Sequence, residues 1–327
     1  MTFKFKTISV IAAAATVLSL SACSLGDSTP NEVTVVTHDS AVFTDAVIAE
    51  FKAQTGITIK QIKAGDAGEL TNKLVLTKDA PIADVVYGID NTFLDVALEN
   101  DVIEGTPEQV DFGDVCINFD KDWFALNETP APNSIKDLTK PVYKGLTVLT
   151  NPTTSSPGLA FLAATVSVFG ENGWEQYWQA LKANDVKIAA GWEDAYFTDF
   201  SGSSGKGDYP IVLSYSSSPA FEIRENGESQ TESLLSECFR QTEYVAVLKN
   251  AKNPSAAKKL ALFLINDPFQ STLADSMYVY PTLPGVALPA SWAEWAPAAT
   301  KTVGGELKIA ANRKDWFAKW SEIFSAN

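Results

Sequence analysis

Apolar and polar positions along this chain switch repeatedly between two periods, and the switching predicts the architecture. Residues 33–36 form a β-branched run, and 42–54 carry apolar side chains at helical spacing before Gly56, a residue suited to end a helix. Residues 57–60 read as strand, 69–78 as helix, 83–89 as strand and 91–100 as helix. Strand and helix in turn predict βαβ units and a mostly parallel sheet covered on both faces. Residues 110–120 break the rhythm as one longer strand. A second series follows, with a strand at 146–150 and a helix opened by Ser155-Ser156-Pro157-Gly158, which supplies cap residues and an N1 proline. Residues 173–184 read as helix, 186–190 and 211–215 as strands, 239–248 as a second long strand, and 254–266 as helix. An amphipathic helix at 306–324 closes the chain, and no internal repeat is present. Two α/β series joined by two longer strands predict two lobes with a hinge that the chain crosses more than once. The expected division is 33–115 with 240–280 in lobe 1, and 116–239 with 281–327 in lobe 2. Ligands of open α/β sheets bind outside the carboxyl ends of the strands, so two facing lobes bring their loops to one cleft.

The first residues carry a different signal. Lys4 and Lys6 precede an uncharged apolar run, 8–20, as in a secretory signal. The run is short for a bilayer span, which needs about 20 apolar residues. The next residues complete Leu20-Ser21-Ala22-Cys23, which resembles the bacterial lipobox. That resemblance implies cleavage before Cys23, a lipid on its sulfur, and a polar tether over 23–32. The chain is then expected outside the cell, anchored to the outer face of the cytoplasmic membrane, with a soluble body.

Charge narrows the partners. The chain has 327 residues and a formal net charge of −15, which becomes −17 once Lys4 and Lys6 leave with the signal. An acidic surface of this kind disfavours nucleic acid and favours cationic ligands through its summed field. A body of about 300 residues suffices for two lobes on the usual domain sizes.

Of the three cysteines, Cys116 and Cys238 remain once Cys23 is assigned to lipid. Each lies at or beside one of the two long strands. In an oxidising compartment they form either a disulfide, if those strands are neighbours, or two buried thiols. A bridge would close a loop of about 120 residues, with an upper estimate of about 4–5 kcal/mol from chain entropy.

Catalytic signals are sparse. His38 is the single histidine, and HExxH, CxxC, GxSxG, GxGxxG and phosphate-loop patterns are absent from the sequence. No enzymatic activity, cofactor or metal is expected. Aromatic residues are 11% of the chain, and several fall at expected strand ends, where core packing and cleft lining are both open to them. Trp192 follows Gly191, Tyr215 precedes a serine run, and Tyr278 lies near Pro281.

The segments VTVVTHDS, ADVVYGIDNTFLDVAL, LTNPTTSSPGLAFL, GWEDAY, IVLSYSSSPAFEI and MYVYPTLPGVALP resemble those of the thiamine-binding proteins of bacterial ABC importers. The likeness runs from about Val33 to Trp320. It implies the α/β, two-lobed fold of the periplasmic-binding superfamily (type II-like), each lobe a sheet flanked by helices and joined by crossing hinge strands. It further implies an extracytoplasmic capture protein for thiamine or its phosphates, expected as a monomer, that delivers its ligand to an ABC permease. The carried-over site comprises His38, Asp66, Ser155, Trp192, Tyr215, Phe221 and Tyr278, with Asp90 and Asn91 as further candidates in the GIDN turn. His38 stands where a tyrosine is common and, if protonated, would repel a thiazolium. Asp66 suits the cation or the pyrimidine amine, with helix capping as its plainer role. Ser155, at a helix N-terminus, suits the alcohol or phosphate tail, and capping alone is equally open. The alternative is a binding protein of the same superfamily for ferric iron or a polyamine. Iron-binding relatives usually carry adjacent tyrosines, and this chain has Tyr278-Val279-Tyr280 instead.

Overall fold

A computed structural model describes residues 31–204 and 206–325. The signal segment, Cys23 and the tether up to residue 30 lie outside the described residues. Glu32, expected as the last tether residue, already opens the first strand, β1 (Glu32–Thr37).

Two βαβ series appear. The first runs β1, α1 (Asp45–Thr55), β2 (Thr58–Lys63), α2 (Ala67–Leu76), β3 (Val85–Asp90) and α3 (Leu94–Glu99). Thr44 caps α1 by accepting from the Val47 N–H, so the helix starts later than the apolar spacing suggests. Gly56 ends it at φ 75°, the left-handed conformation that glycine adopts without a Cβ clash. β4 (Ile103–Asp120) and α4 (Lys121–Leu126) lead to the second series of β5 (Thr147–Thr150), α5 (Ser156–Phe169), α6 (Trp174–Ala183), β6 (Lys187–Ala189) and β7 (Ile211–Tyr215). Ser155 is the N-cap of α5, which puts Pro157 one position later than N1. β8 (Thr231–Leu248), α7 (Pro254–Leu264), α8 (Leu273–Met277), β9 (Tyr280–Pro281), α9 (Trp292–Trp295) and α10 (Ile309–Ser325) complete the chain.

The strands form one open mixed sheet in the order β2-β1-β3-β8-β4-β7-β5-β6, with β9 added to β4. β1 is parallel to β2 and β3, and β5 is parallel to β6 and β7. Between these parallel sets lie β4 and β8, 18 residues each, paired antiparallel. β8 also takes β3 as a neighbour, and β4 takes β7. The two long strands are therefore common to both halves. Both exceed the expected spans: the added end of β4 is mostly exposed and polar, and that of β8, TESLLSEC, is mostly half-buried, and neither shows the apolar alternation that marks a strand in sequence.

Alternation distributes the strands' side chains between cores. In β3, Val85 and Tyr87 join α1 and α7 on one face, while Val86 and Ile89 join α2 on the other. All six β3 residues are buried, as expected of a strand covered on both sides. α10 touches both halves. Its Trp320 packs on Trp178 of α6, with ring centroids 5.9 Å apart, and its Arg313 makes a bidentate pair with Asp95 of α3 at 2.8 and 2.9 Å. Within the shared strands Cys116 and Cys238 are disulfide-bonded, with their Cα atoms 4.5 Å apart. Among the described residues no helix is long and apolar enough to cross a membrane.

Candidate functional site

The carboxyl ends of five strands face one cavity of about 470 Å³. His38 directly follows β1, Asp66 lies beyond β2, Ser156 beyond β5, Trp192 beyond β6, and Tyr215 ends β7. This is where an open α/β sheet binds its ligand, and the volume falls in the roughly 300–1,000 Å³ range of small-molecule sites.

One wall is a run of aromatic rings. Tyr215 meets Trp192 at 5.9 Å, Trp192 stacks on Tyr196 at 5.0 Å and meets Phe197 at 5.4 Å. Phe197 contacts Phe221 at 6.0 Å, and Phe221 meets Tyr278 edge-on at 5.0 Å. Polar contacts fix this wall: the Trp192 Nε1–H donates to Ser214 Oγ at 2.9 Å, and the Tyr215 hydroxyl donates to Gln241 Oε1 at 3.4 Å. Tyr196 and Phe197 belong to a π-helical turn, Asp194–Asp199, that periodicity does not reveal. Tyr278 holds φ at 56°, a left-handed conformation uncommon outside glycine.

The lining is acidic. Asp39, Asp66, Glu69, Glu193, Asp194 and Glu243 contribute carboxylates, no lysine or arginine joins them, and His38 is the one base. His38 Nε2 lies 3.1 Å from Glu243 Oε2. Burial opposes the imidazolium, but Glu243, Asp66 and Asp111 together outweigh it and raise the His38 pKa to about 9. The ring is therefore protonated at neutral pH and its charge is balanced by Glu243. The repulsion of a cation foreseen from sequence is cancelled at its source. The ring fits because Gly88, at φ 96°, leaves room: a Cβ there would lie 2.1 Å from His38 Cδ2. On the far side of Glu243, the Tyr87 hydroxyl donates to Asp111 Oδ2 at 2.6 Å, and burial pushes the Asp111 carboxyl well up.

The other sequence candidates take distinct places. Phe221 and Tyr278 line the cavity with Trp192 and Tyr215. Asp66 lines it too, but as the N-cap of α2, accepting from the Ala67 N–H at 2.6 Å. Ser155 is fully buried behind the lining, its hydroxyl donating to Thr150 Oγ1 at 3.0 Å and accepting from the Gly158 N–H; its neighbour Ser156 faces the cavity instead. Asp90 and Asn91 stay outside the lining. Asp90 accepts from Thr92 Oγ1, and Asn91 joins β8 through the Thr242 N–H and the Arg240 carbonyl, so both shape the turn. Sequence reasoning missed Glu243, Tyr196 and Phe197. The quoted GWEDAY segment contained a signal for Tyr196, whereas Glu243 sits inside a long strand with nothing to mark its facing.

With this geometry in place, comparison with known proteins is decisive. The family profile of bacterial extracellular solute-binding proteins matches residues 104–299. The chain belongs to that family. A thiamine-binding periplasmic protein of Salmonella typhimurium is 30% identical over 312 residues, covering 90% of this chain and 93% of the relative. Its counterpart in Escherichia coli is 29% identical over 90% of this chain and 93% of its own length. The solved structure of a periplasmic thiamin binding protein superposes with a TM-score of 0.80 at 27% identity, covering 90% of this chain and 96% of that one. These relatives are binding proteins, not enzymes, and the chain shares their two-lobed α/β fold.

Proposed function

We propose that this solute-binding protein captures thiamine, or a phosphate of it, in the interlobe cleft and delivers it to an ABC permease. The observation that carries this reading is a cavity lined by an aromatic wall and six carboxylates, one of which, Glu243, pairs with its single base. Thiamine offers two flat rings and a fixed positive charge, which stacked rings and acidic lining answer in kind. A cation over an aromatic face gains about 0.5–2 kcal/mol per good contact. The relatives' thiamine-binding names support the same ligand.

The lobes are assigned as 33–115 with 240–280, and 116–239 with 281–327, moving by hinge closure about β4 and β8. A lipid on Cys23 would hold the protein, as a monomer, beside the permease. Ferric iron is disfavoured by the lack of an adjacent tyrosine pair: Tyr278 lines the cavity, whereas Tyr280 is buried against Phe112 away from it. A polyamine would use the charge but not the continuous aromatic wall.

Isothermal titration with thiamine, its monophosphate and spermidine tests the ligand. We expect thiamine-type ligands to give heat at micromolar concentrations and spermidine to give none. Absence of heat and of competition by thiamine would overturn the assignment. Run on Cys23→Ala protein, the same titration should be unchanged while the protein appears in the medium.

A further inference from the structure

One rim of the cavity is shut by the chain itself. Asp66 Oδ1 accepts from the Ala67 N–H at 2.6 Å and from the Ser156 N–H at 3.3 Å, and its Oδ2 accepts from the Trp192 N–H at 3.0 Å. Ala67 belongs to its own helix. Ser156 and Trp192 belong to the facing wall, the first opening α5 and the second following β6. Three residues after Asp66, the Glu69 N–H donates to the Thr154 carbonyl at 3.2 Å. A Cβ on Gly68 would lie 2.5 Å from that same carbonyl oxygen, so the first turn of α2 is in backbone contact with the loop before α5. Nearer solvent, Ser40 Oγ donates to Glu193 Oε1 at 3.2 Å. Apart from the Ala67 bond, each of these contacts joins a segment after β1 or β2 to one after β5 or β6.

We propose that Asp66 is the clasp of the closed cleft, a positioning residue that draws the Ser156 and Trp192 amides onto its own wall, and not the counter-charge of the ligand. The inference rests on the reading of this cleft as the site of an organic cation. Amide donors to a carboxylate make charge-assisted bonds, and the N-terminus of α5 adds a favourable dipole for the anion. Three of the carboxylate's roughly four lone-pair sites are already filled by main-chain N–H groups. Asp39, Glu69, Glu193 and Asp194 also line the cavity and are the carboxylates left to offset a ligand's charge. Opening the cleft would strip Asp66 of two donors at once, so the clasp holds a captured ligand in and slows its release.

Stopped-flow binding separates the two roles. The probes are thiamine and 3-deazathiamine, its uncharged isostere in which carbon replaces the thiazolium nitrogen. Asp66→Asn keeps one oxygen for the helix cap and turns an amide toward a donor, breaking one half of the clasp. We expect koff to rise at least about tenfold for both probes. A loss confined to thiamine, with 3-deazathiamine unaffected, would identify Asp66 as a direct counter-charge and overturn the proposal. Gly68→Ala leaves the carboxylate in place and wedges a methyl against Thr154. It should raise koff for both probes as well, and an unchanged koff overturns the proposal. If wild type bound neither probe, the ligand assignment would fall while the clasp stayed testable in the ligand-free protein. Spin labels on Leu76→Cys and Leu126→Cys, both 85% exposed and one in each half, would then report the distance between walls. Longer distances in Asp66→Asn support the clasp, and an unaltered distribution overturns it.

Discussion

At the scale of single residues, the His38–Glu243 pair controls how the cavity responds to pH. The His38 pKa rises from 6.5 in the unfolded chain to about 9 in the folded one, because Glu243, Asp66 and Asp111 face it. A raised cation contributes stability that is fully present below pH 6.5 and lost as pH rises through about 9. The shift corresponds to at most about 3.5 kcal/mol at roughly 1.4 kcal/mol per unit. Urea unfolding between pH 6 and 10 should therefore fall more steeply for wild type than for His38→Gln over pH 6.5–9. Parallel slopes would mean that His38 is neutral in the fold. The sequence disclosed this residue by its position after a strand, but not its charge. Its partner lies 205 positions away, and only the closed sheet brings the two together. The same holds for Asp66, where an acid before a helix was legible while the amides from the facing wall were not. Trp192, Tyr215, Phe221 and Tyr278 were more accessible, since their shared placement beside strand ends and the family resemblance both pointed to the cleft, although each ring alone could equally have packed in the core.

At the scale of elements, the β-branched runs and capped helices of the two series were legible because each buries an apolar face at its own period. The π-helical turn was not, because its five-residue hydrogen-bond step leaves no standard period to detect. The long strands were half legible: their central parts carry apolar residues, while their added ends, EGTPEQ in β4 and TESLLS in β8, show no period-two alternation. At one such centre the disulfide joins β4 to β8 across a sequence separation of 122. Replacing both cysteines with serine should lower unfolding free energy by about 2–5 kcal/mol. The bond lies within the shared strands and spans no part of the cleft, so thiamine affinity should change by less than about twofold at a temperature where the variant is folded. Calorimetry with titration checks both halves of this statement, and a binding loss equal to the stability loss would contradict it.

For the whole molecule, charge and topology matter most. A net charge of −15 and an acidic cavity should steer a cation inward. Between 0.01 and 0.15 M salt the screening length shrinks from about 30 to about 8 Å, so kon for thiamine should fall severalfold while koff holds. A kon indifferent to salt would remove steering from the account. The two-lobed arrangement was legible from the order of strands, because two series separated by long strands leave few ways to build one sheet. That order also bears on how the chain is made. Val85 of β3 pairs with Val247 of β8, so the first half keeps an open sheet edge until about 160 further residues exist. At about 5–20 residues per second that wait lasts on the order of 8–30 s. Throughout it, β3 lacks its antiparallel neighbour and the first half cannot close its side of the sheet. The long strands shared by the two halves thus also set the order of assembly, because the sheet closes only after the later of them is made.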